Sequence, residues 1–133
     1  MYTRLVLNVA LKKGTPADVI AELQRMLTGD GTLGGRLNWM FGCSSYYHDN
    51  INVRQLIVPD AVDGEHKLSV VCDLKNYEDE ITTICDWLAS HVETDRCAGY
   101  RLYEEDDAPT LLYFHDGKAY WVDVQCDLTA VLA

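Results

Sequence analysis

Four histidines and five cysteines are the side chains that could ligate a metal or attack a substrate, and their spacing decides how far either reading goes. His48-Asp49, His66, His91 with Asp95, and His115-Asp116 each offer donors. None supplies the i, i+4 histidine pair of a zinc-binding helix or a Cys/His cluster at zinc spacing. For calcium, Asp60-Ala-Val-Asp63-Gly64-Glu65 lacks the alternating oxygen ligands of an EF-hand loop, and Glu104–Asp107 is contiguous rather than spaced. A cysteine nucleophile would need Cys97 or Cys43 beside His91 or His48, and no local nucleophile signature surrounds any of the five. A Gly-x-Ser-x-Gly elbow and a Walker lysine are both missing. The reading assigns no catalytic residue, no metal ligand and no cofactor.

One phosphate-binding pattern matches by letter only. Gly29-Asp-Gly-Thr-Leu-Gly34 spells G-x-G-x-x-G, but a dinucleotide site needs that loop between a strand and the N-terminus of a helix. Here it follows a predicted helix and precedes a predicted strand. It reads as a flexible connection.

Charge is the most informative feature. Residues 1–58 carry six Lys/Arg against four acids, a net of +2, whereas residues 59–133 carry five against seventeen, a net of −12. Such an excess repels phosphate backbones and attracts basic surfaces over a Debye length of about 8 Å at physiological salt. Counterion release needs a cationic surface, so direct nucleic-acid binding is disfavoured.

The acids do not all have the same use. Glu78, Asp79 and Glu80 stand at the start of a predicted helix, where its dipole favours negative charge, and Asp116 sits in a predicted turn. Glu104, Glu105, Asp106 and Asp107 have no such local duty. They lie between two predicted strands rich in aromatic residues, with Tyr103 adjacent. Aromatic side chains beside a charged rim are the composition of a protein-binding patch. Asp60, Asp63 and Glu65 form a second candidate rim. The expected partner is a basic protein.

Elements that would position these residues follow from periodicity. Leu5, Leu7, Val9 and Leu11 alternate, predicting a strand over 3–11. Thr15 as cap, Pro16 at the first helical position and Gly29 as terminator bracket a helix with Ile20, Leu23 and Leu27 on one stripe. Strands are predicted at about 39–48 and 51–58, joined by a turn near Asp49-Asn50, and at 67–74. Asn76 then caps a second helix with Ile81, Ile84, Cys85 and Leu88 inward. Strands at about 96–104 and 110–115 follow, and Asp116-Gly117 marks a hairpin into 119–124. The order β-α-β-β-β-α-β-β-β predicts an α+β two-layer sandwich, one domain over 1–133, with a mostly antiparallel sheet and both helices on one face. A faint echo aligns Ile20, Leu23, Gln24 and Leu27 with Ile81, Ile84, Cys85 and Leu88 at an offset of 61, suggesting two βαββ-like halves.

At 48% hydrophobic, the 133 residues suffice for a genuine core. No apolar run reaches the roughly 20 residues of a membrane span. The first residues lead into Lys12-Lys13 rather than a cleavage site, and the cysteines are odd in number and never Cys-x-x-Cys. The expectation is a cytoplasmic protein with no membrane partner. Leu128, Val131 and Leu132 in the C-terminal tail offer a route to oligomers.

Three stretches together resemble a group of short, uncharacterised bacterial proteins, some associated with mobile elements. They are the opening Leu-x-Leu-x-x-x-Leu-Lys-Lys-x-Thr-Pro, Cys72-Asp-Leu-Lys-Asn-Tyr77-Glu-Asp-Glu-Ile81 with Trp87, and Gly99-Tyr-Arg-Leu-Tyr-Glu-Glu-Asp106 before Pro109-Thr-Leu. The resemblance implies a single α+β domain and carries no functional residue across. The functional expectation is a non-catalytic acidic binding module of inhibitor or immunity type. The alternatives are a nucleic-acid mimic that blocks a nuclease or defence complex, as anti-CRISPR proteins do, and a small enzyme with a Cys/His site.

Overall fold

The computed structural model describes residues 2–42, 55–57 and 66–124. Its elements run β1 (Thr3–Ala10), α1 (Ala17–Thr28), a 3-10 helix (Gly35–Gly42), β2 (Gln55–Ile57), β3 (Lys67–Leu74), α2 (Glu80–Ala89), β4 (Cys97–Tyr103), β5 (Thr110–His115) and β6 (Lys118–Asp123). The strands form one antiparallel sheet in the order β2-β3-β1-β4-β5-β6. This is the α+β architecture that the periodicities predict.

The first four strands follow the split βαβ order, in which each helix links two parallel strands separated by a third. The two halves are therefore β1-α1-β2 and β3-α2-β4. The β5–β6 hairpin is an addition at one edge, so the expected βαββ halves are corrected to βαβ halves.

Register explains the core. Leu5 faces Cys72, Leu7 faces Val70 and Val9 faces Leu68, so every alternate residue of the neighbouring interior strands β1 and β3 points to the helix layer. All six are at most 2% exposed. From α1 come Leu23 and Met26, and from α2 Ile81, Ile84, Cys85 and Leu88. Burial of each such side chain is worth about 1.5–3 kcal/mol. Cys85 is a core hydrophobe: burial, assisted by the Asp86 charge and opposed by Arg101, pushes its thiol up to about 12. Between β4 and β1 the chains approach so closely at Gly99 that a Cβ there would run into the Val6 carbonyl oxygen. A register shift between Cys97 and Gly99 accompanies that approach.

Several local expectations are corrected. Residues 39–42 belong to the 3-10 helix, not to a strand. Its three-residue turn puts Leu37 and Met40 on one line against the core and Arg36 and Trp39 on another at the surface. The remainder of the strand predicted at 39–48, and the turn at Asp49-Asn50, lie outside the described residues. The strand predicted at 51–58 is described only at Gln55–Ile57.

Thr15 does not cap α1. Its hydroxyl donates to the Lys12 carbonyl at 2.6 Å, and Pro16 takes the cap position without a side-chain bond. Asn76 does accept from an α2 amide, that of Ile81 at 2.9 Å, although Asp79 holds the formal N-cap position with φ 58°. Glu80 alone of the three acids falls in the first turn of α2.

The loop after α1 is also better tied than its glycines suggest. Glu22, buried on α1, accepts from the Thr32 amide and the Thr32 hydroxyl, both at 2.6 Å, and from the Leu33 amide at 3.3 Å. Burial alone would raise its carboxyl, but these bonds and the Arg25 guanidinium hold it below the usual carboxylate range. Gly29 ends α1 in the left-handed conformation, as predicted, and the loop leads into the 3-10 helix rather than a strand.

Candidate functional site

The two ends of the sheet carry different chemistry. At the end where β1 begins and β3 and β4 finish, the Glu104 amide donates to the Tyr2 carbonyl at 3.1 Å. The Asp106 amide closes a turn on the Tyr103 carbonyl at 2.9 Å. These bonds hold the acidic loop against the sheet while Glu104, Glu105, Asp106 and Asp107 stay exposed. Tyr103 is half-buried beside them; burial first, then Glu105, Glu104, Tyr77 and Asp106, disfavour its phenolate and raise its pKa.

A groove of about 320 Å³ opens at the same end, lined by Tyr2, Arg36, Trp39, Met40, Leu74 and Lys75 among others. Trp39 is 58% exposed, and its ring rests where a Cβ on Gly29 would lie at 3.3 Å. Tyr77, in the turn before α2, is 68% exposed. The Arg36 guanidinium sits 5.9 Å from the centre of the Tyr77 ring, and its Nε is 3.8 Å from Oε1 of buried Glu80. A cation between an aromatic face and a carboxylate is thus already accommodated on this surface.

Tyr103 and Glu104–Asp107, contiguous in the sequence, lie at this end of the sheet, and with them stand Tyr2, Arg36, Trp39 and Tyr77, which the sequence reading did not single out. The i, i+3 spacing of Arg36 and Trp39 was the available signal, and it speaks only once the segment is read as a 3-10 helix. Asp60, Asp63 and Glu65, the second candidate rim, lie outside the described residues, as does the C-terminal tail beyond Val124.

Many other acids are committed to internal bonds. Asp73, buried, accepts two bonds from the Arg4 guanidinium at 3.0 and 3.3 Å. Asp79 accepts from the Thr82 hydroxyl at 2.9 Å, and Asp123 from the Thr110 hydroxyl at 3.2 Å.

At the opposite end, Asp95 Oδ1 lies 2.6 Å from His115 Nδ1 in a cleft of about 290 Å³. Lys12, Ser90, Glu93 and Asp116 also line it. The hydrogen bond to Asp95, followed by its charge, raises the His115 pKa; desolvation opposes them and the Asp116 charge adds to them. Both side chains are about two-thirds exposed, at 68% and 64%. The Cys97 thiol approaches the Gly99 carbonyl at 3.6 Å, while Cys72 and Cys85 are buried. His91 stacks edge-on against Trp87, and His48 lies outside the described residues. Among the described residues, no three His, Cys, Asp or Glu side chains gather closely enough to hold a metal ion.

No family model, no curated protein and no solved structure matches the chain. The resemblance to short bacterial proteins therefore rests on its three motifs alone. Among the described residues, no helix is long and apolar enough to cross a membrane.

Proposed function

We propose that this chain is a non-catalytic protein-binding module that docks on a basic surface of its partner through the acidic and aromatic end of the sheet. One observation carries the reading: the exposed acids Glu104–Asp107 begin at Glu104, whose amide is bonded to the carbonyl of Tyr2, and Tyr2 also lines the groove beside Trp39 and Arg36. Tryptophan, tyrosine and arginine are the side chains on which binding energy concentrates, and the acids would steer a cationic partner toward them. Inhibitor and immunity proteins work in this manner. Mimicry of nucleic acid is a narrower form of the same proposal, in which the acids compete with phosphates for one target.

The experiment is affinity capture on the immobilised chain at low and high salt, in parallel with a variant whose four loop acids are replaced by Gln and Asn. A basic protein retained by the parent, lost at high salt and lost with the variant is the expected outcome. Capture that ignores both salt and the loop substitutions would reject the reading. Competition of the captured protein with DNA or RNA separates the mimic from the plain docking module.

A further inference from the structure

We propose that the chain forms a two-fold dimer by antiparallel pairing of β6 with β6 of a second copy. β6 is the last strand of the sheet among the described residues, and it runs six residues in unbroken register with β5. The two-residue turn Asp116-Gly117, with φ 51° and 75°, fixes which of its backbone groups are used. In such a hairpin the flanking residues, here His115 and Lys118, form a hydrogen-bonded pair, and bonded pairs then alternate. Lys118, Tyr120 and Val122 therefore turn their N–H and C=O groups to β5. Ala119, Trp121 and Asp123 turn theirs out of the sheet edge.

Among the described residues, that edge lacks the usual protections. It has no proline and no register shift, and its charges are Lys118 and Asp123 at the two extremities. The opposite edge strand, β2, is described over three residues. On the face away from the helices, Tyr120 is 46% and Val122 45% exposed. A two-fold axis normal to the sheet at Trp121 makes the outward groups self-complementary. Trp121 meets its own counterpart, Ala119 meets Asp123, and the three pairs form six backbone hydrogen bonds. The same register sets Tyr120 of each copy beside Val122 of the other, an aromatic and β-branched pair that favours strand association.

The dimer does not depend on the acidic end, and it answers salt in the opposite sense. Each copy carries a formal charge of −10, so screening should strengthen self-association where it weakens capture of a basic partner. The test combines sedimentation with residue-resolved amide exchange over roughly a hundredfold range of protein concentration. A dimer should appear with concentration, and the amides of Ala119, Trp121 and Asp123 should then gain about tenfold or more in protection. Those of Lys118, Tyr120 and Val122 should be protected throughout.

Val122→Lys places a charge at the seam on an already exposed position, and it should give a folded monomer that keeps the second set of protections. A monomer at every concentration overturns the proposal. So does outward-amide protection that is independent of concentration, which means the chain covers its own edge. A dimer that survives Val122→Lys with the outward amides unprotected places the interface elsewhere, and also overturns it.

Discussion

The two ends of the sheet both display carboxylates at the surface, yet they are organised for different ends. At the acidic end, Glu104–Asp107 are held by backbone bonds around them, beside a groove and two exposed aromatic rings. At the other, Asp95 is engaged with His115 at 2.6 Å. A carboxylate bonded to an imidazole presents less charge to a partner than four adjacent ones do. The lesson is that carboxylate abundance does not locate a binding surface; exposure beside a groove and aromatic rings does. Of the seventeen acids in residues 59–133, Asp73 belongs to Arg4, and Glu80 is buried beside Arg36.

The largest expected effect breaks both ends at once. Gly99→Ala should cost on the order of 3–5 kcal/mol, because its Cβ meets the Val6 carbonyl and φ is +154°. Denaturant unfolding of the variant measures it; a loss below about 1 kcal/mol would show that β4 and β1 can separate cheaply there.

Glu22→Ala should separate the ends. It removes the acceptor that ties Thr32 and Leu33, and thus the approach to Trp39, at a cost of about 2–3 kcal/mol. Its carboxyl is depressed in the folded state, so its contribution is present above the unfolded pKa and is lost as pH falls through the folded value. The gap between parent and variant should therefore close in acid. Nuclear magnetic resonance shifts should move around Trp39 and stay fixed around His115.

Trp39→Ala and Tyr77→Ala address binding without the fold, since both rings are largely exposed. Each should weaken a captured partner by about 2 kcal/mol, roughly thirtyfold, chiefly through faster dissociation. Neutralising Glu104–Asp107 should instead slow association about tenfold and flatten its salt dependence. If the aromatic variants change the association rate and the acid variants do not, the division of labour at this end is wrong.

The smallest effect lies at the opposite end. Asp95→Asn should bring the His115 pKa down toward the ordinary imidazole value of about 6.5, read from its ring protons. A raised pKa means that the pair's contribution is present below the unfolded value and is lost as pH rises through the folded one. With both side chains mostly exposed, the melting temperature should scarcely change.

Several features were legible from residue order because the forces that create them are local. The alternation of Leu5, Leu7 and Val9, the stripe of α2 and the Asp116-Gly117 turn each declare themselves within a few residues. The stop of α1 at Gly29 is of the same kind. Residues 39–42 read as the start of a strand because Trp39-Met-Phe41 is as compatible with a strand by propensity. The line of Leu37 and Met40 against the core is what selects the tighter turn.

By itself, the sequence determined the α+β class, the rough order of strands and helices, the hairpin and the concentration of negative charge in residues 59–133, since periodicity, turn chemistry and charge counts need no distant contact. Only the tertiary structure decided which acids are neutralised. Arg4 reaches Asp73 across 69 residues and His115 reaches Asp95 across 20. It likewise decided that Tyr2 and Arg36 would share a groove near the acidic loop, and that β6 would be the last strand of the sheet among the described residues. Such pairings depend on strand register and chain crossing, which bring together residues that no local pattern connects.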